Sequence, residues 1–307
     1  MFRPRFRPGE PMPELTLTQR AVQLDGCELG YLEAGAGDRP LVVCLHGFPD
    51  SPRTFRHLAA DLVGAGYRVV LPWLRGYPPS QVVDGSYQVA ALARDAVALA
   101  EALAPDRAAR LVGHDWGALA TYGTGVLRPD RWQRLVTLSV PPTSAFRPFL
   151  RRDPAQQRAS WYQFLFQLDT LSEAVVEQDD FAFLERLWRD WSPGWEPDRQ
   201  CLDAARTSIR KGFPAALRFY RDTWQSARQD PGLAADQQRI VDGPLTVPTL
   251  VLHGLRDGCI LPGAFAGAEE YFAAEHRIQP LDGVGHFLHL EDPARVNPLI
   301  LDFLGEP

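Results

Sequence analysis

Residues 110–120 read Arg-Leu-Val-Gly-His-Asp-Trp-Gly-Ala-Leu-Ala, and this stretch decides the fold. Arg110–Val112 is a short apolar run of strand type, and from Trp116 onward the spacing turns helical. Between them Gly113 and Gly117 frame Asp115 in the order small-x-nucleophile-x-small. A turn that sharp forces its central residue into a strained backbone conformation and leaves no room for neighbouring β-carbons. An aspartate ahead of a helix ordinarily caps it. With a glycine on each shoulder and a buried strand before it, Asp115 reads instead as a nucleophile raised on a strand-to-helix bend, where the helix dipole favours its ionised form.

Outward from this bend the chain alternates strands and helices. Leu15–Leu24 and Glu28–Glu33 read as an antiparallel hairpin turned at Asp25-Gly26. Strands are expected at Leu41–Leu45, Tyr67–Leu71 and Leu135–Val140, and helices at Thr54–Gly64 and over the Ala-rich Tyr87–Leu103. After Pro141-Pro142 the rhythm changes. From about Ser144 to Asp242 the pattern is one of amphipathic helices rich in Trp, Phe, Leu and Gln, broken at Ser192-Pro193-Gly194 and Gly212-Phe213-Pro214. Alternation then resumes with a strand at Thr249–His253, a helix at Ala264–Phe272, a strand at Arg277–Leu281 and a closing helix at Pro293–Phe303. The expectation is an α/β domain with a mostly parallel sheet flanked by helices, built from residues 1–143 and 243–307. Residues 144–242 form a helical cap over it, and the Pro-rich residues 1–13 a flexible tail.

Composition narrows the function. The 307 residues are 45% hydrophobic and 23% charged, with a formal net charge of −6. A nucleic-acid partner would call for clustered positive charge, and the arginines are scattered. No apolar run approaches the roughly 20 residues that span a bilayer, and the N-terminal segment lacks the apolar stretch of a secretory signal. Cys27, Cys44, Cys201 and Cys259 are widely spaced with no CxxC pair. Neither a disulfide framework nor a metal site is expected, and a reducing cytoplasm is the expected compartment.

In open parallel sheets ligands bind beyond the carboxyl ends of the strands, so the residues that follow each strand are the candidates. After Leu41–Leu45 comes His46-Gly47-Phe48-Pro49-Asp50, a turn able to aim the Phe48 N–H at the same pocket as the Trp116 N–H, two donors that make an oxyanion hole. Asp257 follows Thr249–His253, and His286 follows Arg277–Leu281 after Gly283-Val284-Gly285. Of the seven histidines only His286 and His289 come after the last strand, and the glycines before His286 give it the freer backbone; His289 reads as structural. The loop after Leu135–Val140 offers no carboxylate, which leaves Asp257 as the acid. Asp115, Asp257, His286 is then the order nucleophile, acid, base.

An aspartate in place of serine changes the chemistry. A carboxylate needs no base to activate it and can displace a leaving group from saturated carbon, forming an ester on itself. His286, oriented by Asp257, is then free to draw a proton from the water that hydrolyses the ester. If the leaving group is an epoxide oxygen, a proton donor must face it from the cap, and Tyr162 and Tyr220 are the two tyrosines of that segment. A phenol with a pKa near 10 stays protonated at neutral pH and can serve.

With these residues in hand, the sequence resembles the α/β-hydrolase-fold epoxide hydrolases of the soluble, bacterial type. The likeness runs from about Leu15 onward. It rests on HGFPD at 46–50, RGYPPS at 75–80, VGHDWGA at 112–118, the cap segments SWYQFLFQ and ALRFYR, HGLRD at 253–257 and GVGHFLHLEDP at 283–293. It implies Asp115 as nucleophile, Asp257 as acid, His286 as base, Tyr162 and Tyr220 as the ring-opening pair, and Phe48 and Trp116 as oxyanion-hole donors. His46, Pro49, Trp161 and Phe287 are expected to bind substrate. The expected partners are a small hydrophobic epoxide and water, with no cofactor, no metal and no nucleic acid or membrane, in a monomer or homodimer. Two rivals stand beside it. One is a haloalkane or haloacetate dehalogenase using the same aspartate; those enzymes typically carry Asn at the position of Phe48, or Arg at that of Trp116. The other is a non-catalytic ligand-binding protein of the same fold, which would have no need of a base in the last loop.

Overall fold

The structure, a computed structural model, describes residues 15–305, so the expected tail at 1–13 lies outside the described residues. The chain opens with a hairpin of β1 (Thr18–Leu24) and β2 (Cys27–Ala34), and its two-residue turn uses the positive φ of 92° that Gly26 adopts. There follow β3 (Leu41–Leu45), β4 (Arg68–Pro72), β5 (Ala109–His114), β6 (Trp132–Leu138), β7 (Thr249–Gly254) and β8 (His276–Leu281). All join one eight-stranded sheet in the order β1-β2-β4-β3-β5-β6-β7-β8. The ladders β1–β2 and β2–β4 are antiparallel and the others parallel. Every residue of β3 and β7 is buried, as continuous apolar runs must be when helices cover both faces of a sheet.

Three helices alternate with the first strands: α1 (Arg56–Gly64), α2 (Val89–Leu103) and α3 (Trp116–Leu127). The alanines of α2 let it lie close on α3, where a β-carbon on Gly123 would stand 2.8 Å from the Ala93 methyl. Between β6 and β7 the described chain contributes no strand to the sheet. It forms α4 (Thr143–Arg152), α5 (Pro154–Ala159), α6 (Trp161–Leu165), α7 (Leu171–Trp191, broken at 178–181), α8 (Arg199–Gly212), α9 (Ala215–Trp224) and α10 (Ala234–Asp242). Two of these start on aspartates whose side chains accept from the helix: Asp153 from Gln156 N–H at 2.7 Å and Asp198 from Cys201 N–H at 3.0 Å. The C-terminal part of the chain adds α11 (Leu288–Glu291) and α12 (Pro293–Gly305).

One expected element is different. Ala264–Phe272 is not an α-helix but two short 3₁₀ turns, Pro262–Phe265 and Ala268–Tyr271. Gly267 between them sits at a φ of 78°, which no helix interior accepts. Among the described residues no helix is long and apolar enough to cross a membrane.

Candidate active site

Asp115 follows β5 and precedes α3 with φ 53° and ψ −118°, a strained conformation that the packing around it enforces. The glycines expected on steric grounds are pinned by carbonyls. A β-carbon on Gly117 would run into the Leu45 carbonyl, and one on Gly113 into the Gly117 carbonyl. Gly47 lies so close to the Asp115 side chain that a β-carbon there would displace it. The bend thus presses the carboxylate against the loop that follows β3.

That loop supplies the first contact: the Phe48 N–H donates to Asp115 Oδ1 at 2.7 Å. The Trp116 amide, the other expected donor, makes no bond to the Asp115 side chain. His286 stands on the opposite side, its Nε2 3.6 Å from Asp115 Oδ2 and its Nδ1 2.8 Å from Asp257 Oδ2. Asp257 is fixed in turn, since its Oδ1 accepts from the Cys259 and Ile260 amides at 2.7 and 2.9 Å. Burial alone would push the His286 pKa down. The charges of Asp257 and Asp115, with their hydrogen bonds, outweigh it and raise the pKa to about 10.

Tyr162 on α6 and Tyr220 on α9 meet edge to face above the carboxylate, ring centroids 5.6 Å apart, both at 2% exposure. Burial drives both phenols well above the ordinary range, so both are neutral. The Tyr162 hydroxyl accepts from Gln163 Nε2 at 3.2 Å and lies 3.2 Å from Cys259 Sγ. The Tyr220 hydroxyl is buried with no hydrogen-bond partner among the described residues. Asp115, Tyr162 and Tyr220 share one narrow cavity of about 60 Å³, its walls mainly apolar, with Leu119, Val140 and Ile260 among them.

The other expected binding residues are not on this cavity. His46 is buried under the loop: Nε2 accepts from the Leu74 N–H at 3.1 Å, so Nδ1 carries the proton to the Gly47 carbonyl at 2.9 Å. Burial lowers its pKa to about 4, which keeps it neutral. The Pro49 carbonyl is occupied by the Trp188 indole N–H at 2.7 Å. Phe287 stacks on Trp188 with centroids 4.2 Å apart, and Trp161 packs against Phe183. Each lies inside a site motif in sequence, but the rings of His46, Trp161 and Phe287 are engaged in packing and Pro49 is buried.

The structure also shows supports that the sequence reading missed. The His286 carbonyl accepts from Ser139 Oγ at 2.5 Å and from His114 Nε2 at 3.0 Å. Its amide donates to the Trp191 carbonyl at 3.2 Å. Glu291 accepts from Ser192 Oγ at 2.6 Å and from the Gly285 amide at 2.7 Å, holding the turn before the histidine. Ser139, His114, Trp191 and Ser192 lie far from His286 in the chain with no local pattern to mark them, whereas Glu291 stands six residues after Gly285, within the segment GVGHFLHLEDP.

Three comparisons bear on this geometry. The profile of a protein family described as alpha/beta hydrolase fold matches residues 40–293. A curated relative, "Epoxide hydrolase A" of Mycobacterium tuberculosis, is 27% identical over 94% of this chain and 97% of its own. Among solved structures, epoxide hydrolase A from Mycobacterium thermoresistibile is 29% identical with a TM-score of 0.75, over 94% of this chain and 98% of that one. A point mutant of an epoxide hydrolase from Bacillus megaterium, complexed with its product (R)-3-[1]naphthyloxy-propane-1,2-diol, is 27% identical with a TM-score of 0.79, over 94% of this chain and all of that one.

Proposed function

The chain belongs to the alpha/beta hydrolase fold family, and from that premise we propose that it is an epoxide hydrolase acting through an ester on Asp115. The observation that carries the reading is the presence, in one cavity, of the Asp115 carboxylate and the neutral phenols of Tyr162 and Tyr220. The relatives named above support it.

The reaction runs in two halves. Asp115 Oδ1 is held by the Phe48 amide, so Oδ2 is the free oxygen that attacks an epoxide carbon. The ring C–O bond breaks and its electron pair goes to the epoxide oxygen, which takes a proton from one of the facing tyrosines. In the free enzyme His286 carries a proton and cannot act as a base. Esterification removes the charge on Asp115, one of the two that held the His286 pKa up to about 10. The imidazole can then give up its proton, which returns by way of solvent to the tyrosinate left by ring opening, and as a neutral base take another from water. That water attacks the Asp115 carbonyl carbon, and the charge that develops on Oδ1 meets the Phe48 N–H. As the ester C–O bond breaks, the departing alkoxide takes the remaining proton of the attacking water, which releases a vicinal diol and restores the carboxylate beside protonated His286. A donor in this position is worth about 3 kcal/mol in the transition state. In this reading residues 144–242 are the cap that brings the tyrosines to the core, and the Trp116 amide joins the oxyanion hole once the ester has formed.

One turnover in oxygen-18 water tests the mechanism. The diol should carry an unlabelled oxygen from Asp115 and the label should remain on the protein. Label in the diol of the first cycle would exclude the ester. Release of halide from alkyl halides, without diol from styrene oxide, would move the chain to the dehalogenases.

A further inference from the structure

The cavity over Asp115 has a second polar wall that the reaction above does not use. Arg147, on α4, lines it together with Asp115 and the two tyrosines. Next to it lies a wider, mainly apolar groove of about 310 Å³, bordered by Leu150, Phe164 and Arg151. Gln163 and Trp224 border both spaces and so form the neck between them. The Arg147 guanidinium carbon is 5.4 Å from the centroid of the Trp224 ring, which sets the cation at that neck.

Arg147 is half-buried, and among the described residues it makes no hydrogen bond and no ion pair. Burial, and then the charge of Arg151, press its pKa down, and no carboxylate acts in the other direction. The contact with Trp224 is one of a cation over a ring and takes up none of the guanidinium N–H donors in a hydrogen bond. The helix dipole accounts for Arg151 and Arg152, which sit in the last turn of α4. It does not account for Arg147, a turn earlier. In a chain of net charge −6, an uncompensated cation in the wall of the reaction cavity is a local reversal of sign.

We propose that Arg147 receives a carboxylate, and that the substrates are epoxides whose chain carries an anionic group. Guanidinium matches carboxylate with two parallel hydrogen bonds, and at a half-buried site such a pair is stronger than in open water. The apolar walls accept the carbon chain between the two polar ends. This inference rests on the epoxide reading of the same cavity, and its test separates the two.

The experiment compares the ω-epoxides of heptanoic, nonanoic and undecanoic acids with their methyl esters, styrene oxide serving as the uncharged reference. For at least one chain length the enzyme should prefer the acid, and in Arg147→Gln the ratio of kcat/KM for acid over ester should fall tenfold or more, mainly through KM. Arg147→Lys, which keeps the charge without the fork, should retain part of that ratio and guards against a folding defect in the glutamine variant. An unaltered ratio in Arg147→Gln, or a native preference for every ester over its acid, overturns the inference while leaving the epoxide reading intact. If no epoxide is hydrolysed at all, the reaction assigned to the site fails instead. Calorimetric titration with undecanoate and methyl undecanoate, native against Arg147→Gln, then decides carboxylate recognition by itself: tighter binding of the acid that the variant loses supports it, and equal binding of both overturns it.

Discussion

His286 lies between two carboxylates, 2.8 Å from Asp257 and 3.6 Å from Asp115, and cannot serve as a base while both are charged and it is protonated. Asp115→Asn mimics the charge lost in the ester. The expectation is that the His286 imidazole, followed by nitrogen-15 NMR, titrates near pH 10 in the native protein and clearly lower in that variant. The same shift has a consequence for stability. A histidine raised from 6.5 in the unfolded chain to about 10 in the folded one stabilises the fold fully below pH 6.5, and that contribution is lost as pH rises through 10. The melting temperature of the native protein should therefore fall across the alkaline range, and that of Asp115→Asn should fall less. An equal decline in both would remove Asp115 as a source of the shift. The tyrosines give a separate test: each Tyr→Phe change should lower kcat, and the double variant by about 10²–10⁴-fold. Full activity of the double variant on styrene oxide would end their role as donors.

At the scale of the element, the strand-to-helix bend carries both the chemistry and its legibility. Gly113 and Gly117 were readable because steric exclusion at a tight turn leaves glycine as the residue that fits, a constraint written within five residues. The central strands β3 and β7 were readable for a similar reason, since burial on both faces demands a continuous apolar run. Asp257 and His286 followed because strand ends in a parallel sheet share one edge. Side-chain direction was not readable in this way. His46, Pro49 and Phe287 sit inside site motifs yet are taken up in packing, whereas Gln163 reaches the cavity from inside a cap motif in which Trp161 and Tyr162 stood out, and Arg147 from no motif at all. Nor did the helical period over Ala264–Phe272 reveal that Gly267 would take a positive φ and divide it. The bend itself is testable. In Gly117→Ala the new methyl must displace the Leu45 carbonyl at the end of β3, so urea denaturation should show a loss of about 1–3 kcal/mol or more. The Phe48 amide, three residues on, should move with it and lower kcat further. A variant of native stability would mean that the bend tolerates a β-carbon and that the steric account is mistaken.

Across the whole molecule, the helical segment between β6 and β7 is tied to the sheet at the site itself. The end of α7 carries the ties: the Trp188 indole N–H donates to the Pro49 carbonyl, and the Trp191 carbonyl accepts from the amides of Gly258 and His286. Trp188 and Trp191 are at 0% and 1% exposure, packed between the helices and the loops that hold Phe48 and His286. A segment bonded to these loops cannot unfold without exposing the Pro49 carbonyl and releasing the backbone of the base. The two parts should therefore melt as one, giving a single calorimetric transition whose calorimetric and van't Hoff enthalpies agree. The tie should also be felt in catalysis. Trp188→Phe keeps most of the ring and removes the donor, leaving a buried carbonyl unpaired at a cost of about 1–3 kcal/mol. Since that carbonyl belongs to the residue after Phe48, the loss should reach the amide that holds Asp115 and lower kcat more than it raises KM. Two resolved transitions in the native protein, or a Trp188→Phe variant with unchanged kcat and a raised KM, would show a segment that binds substrate independently of the catalytic loops.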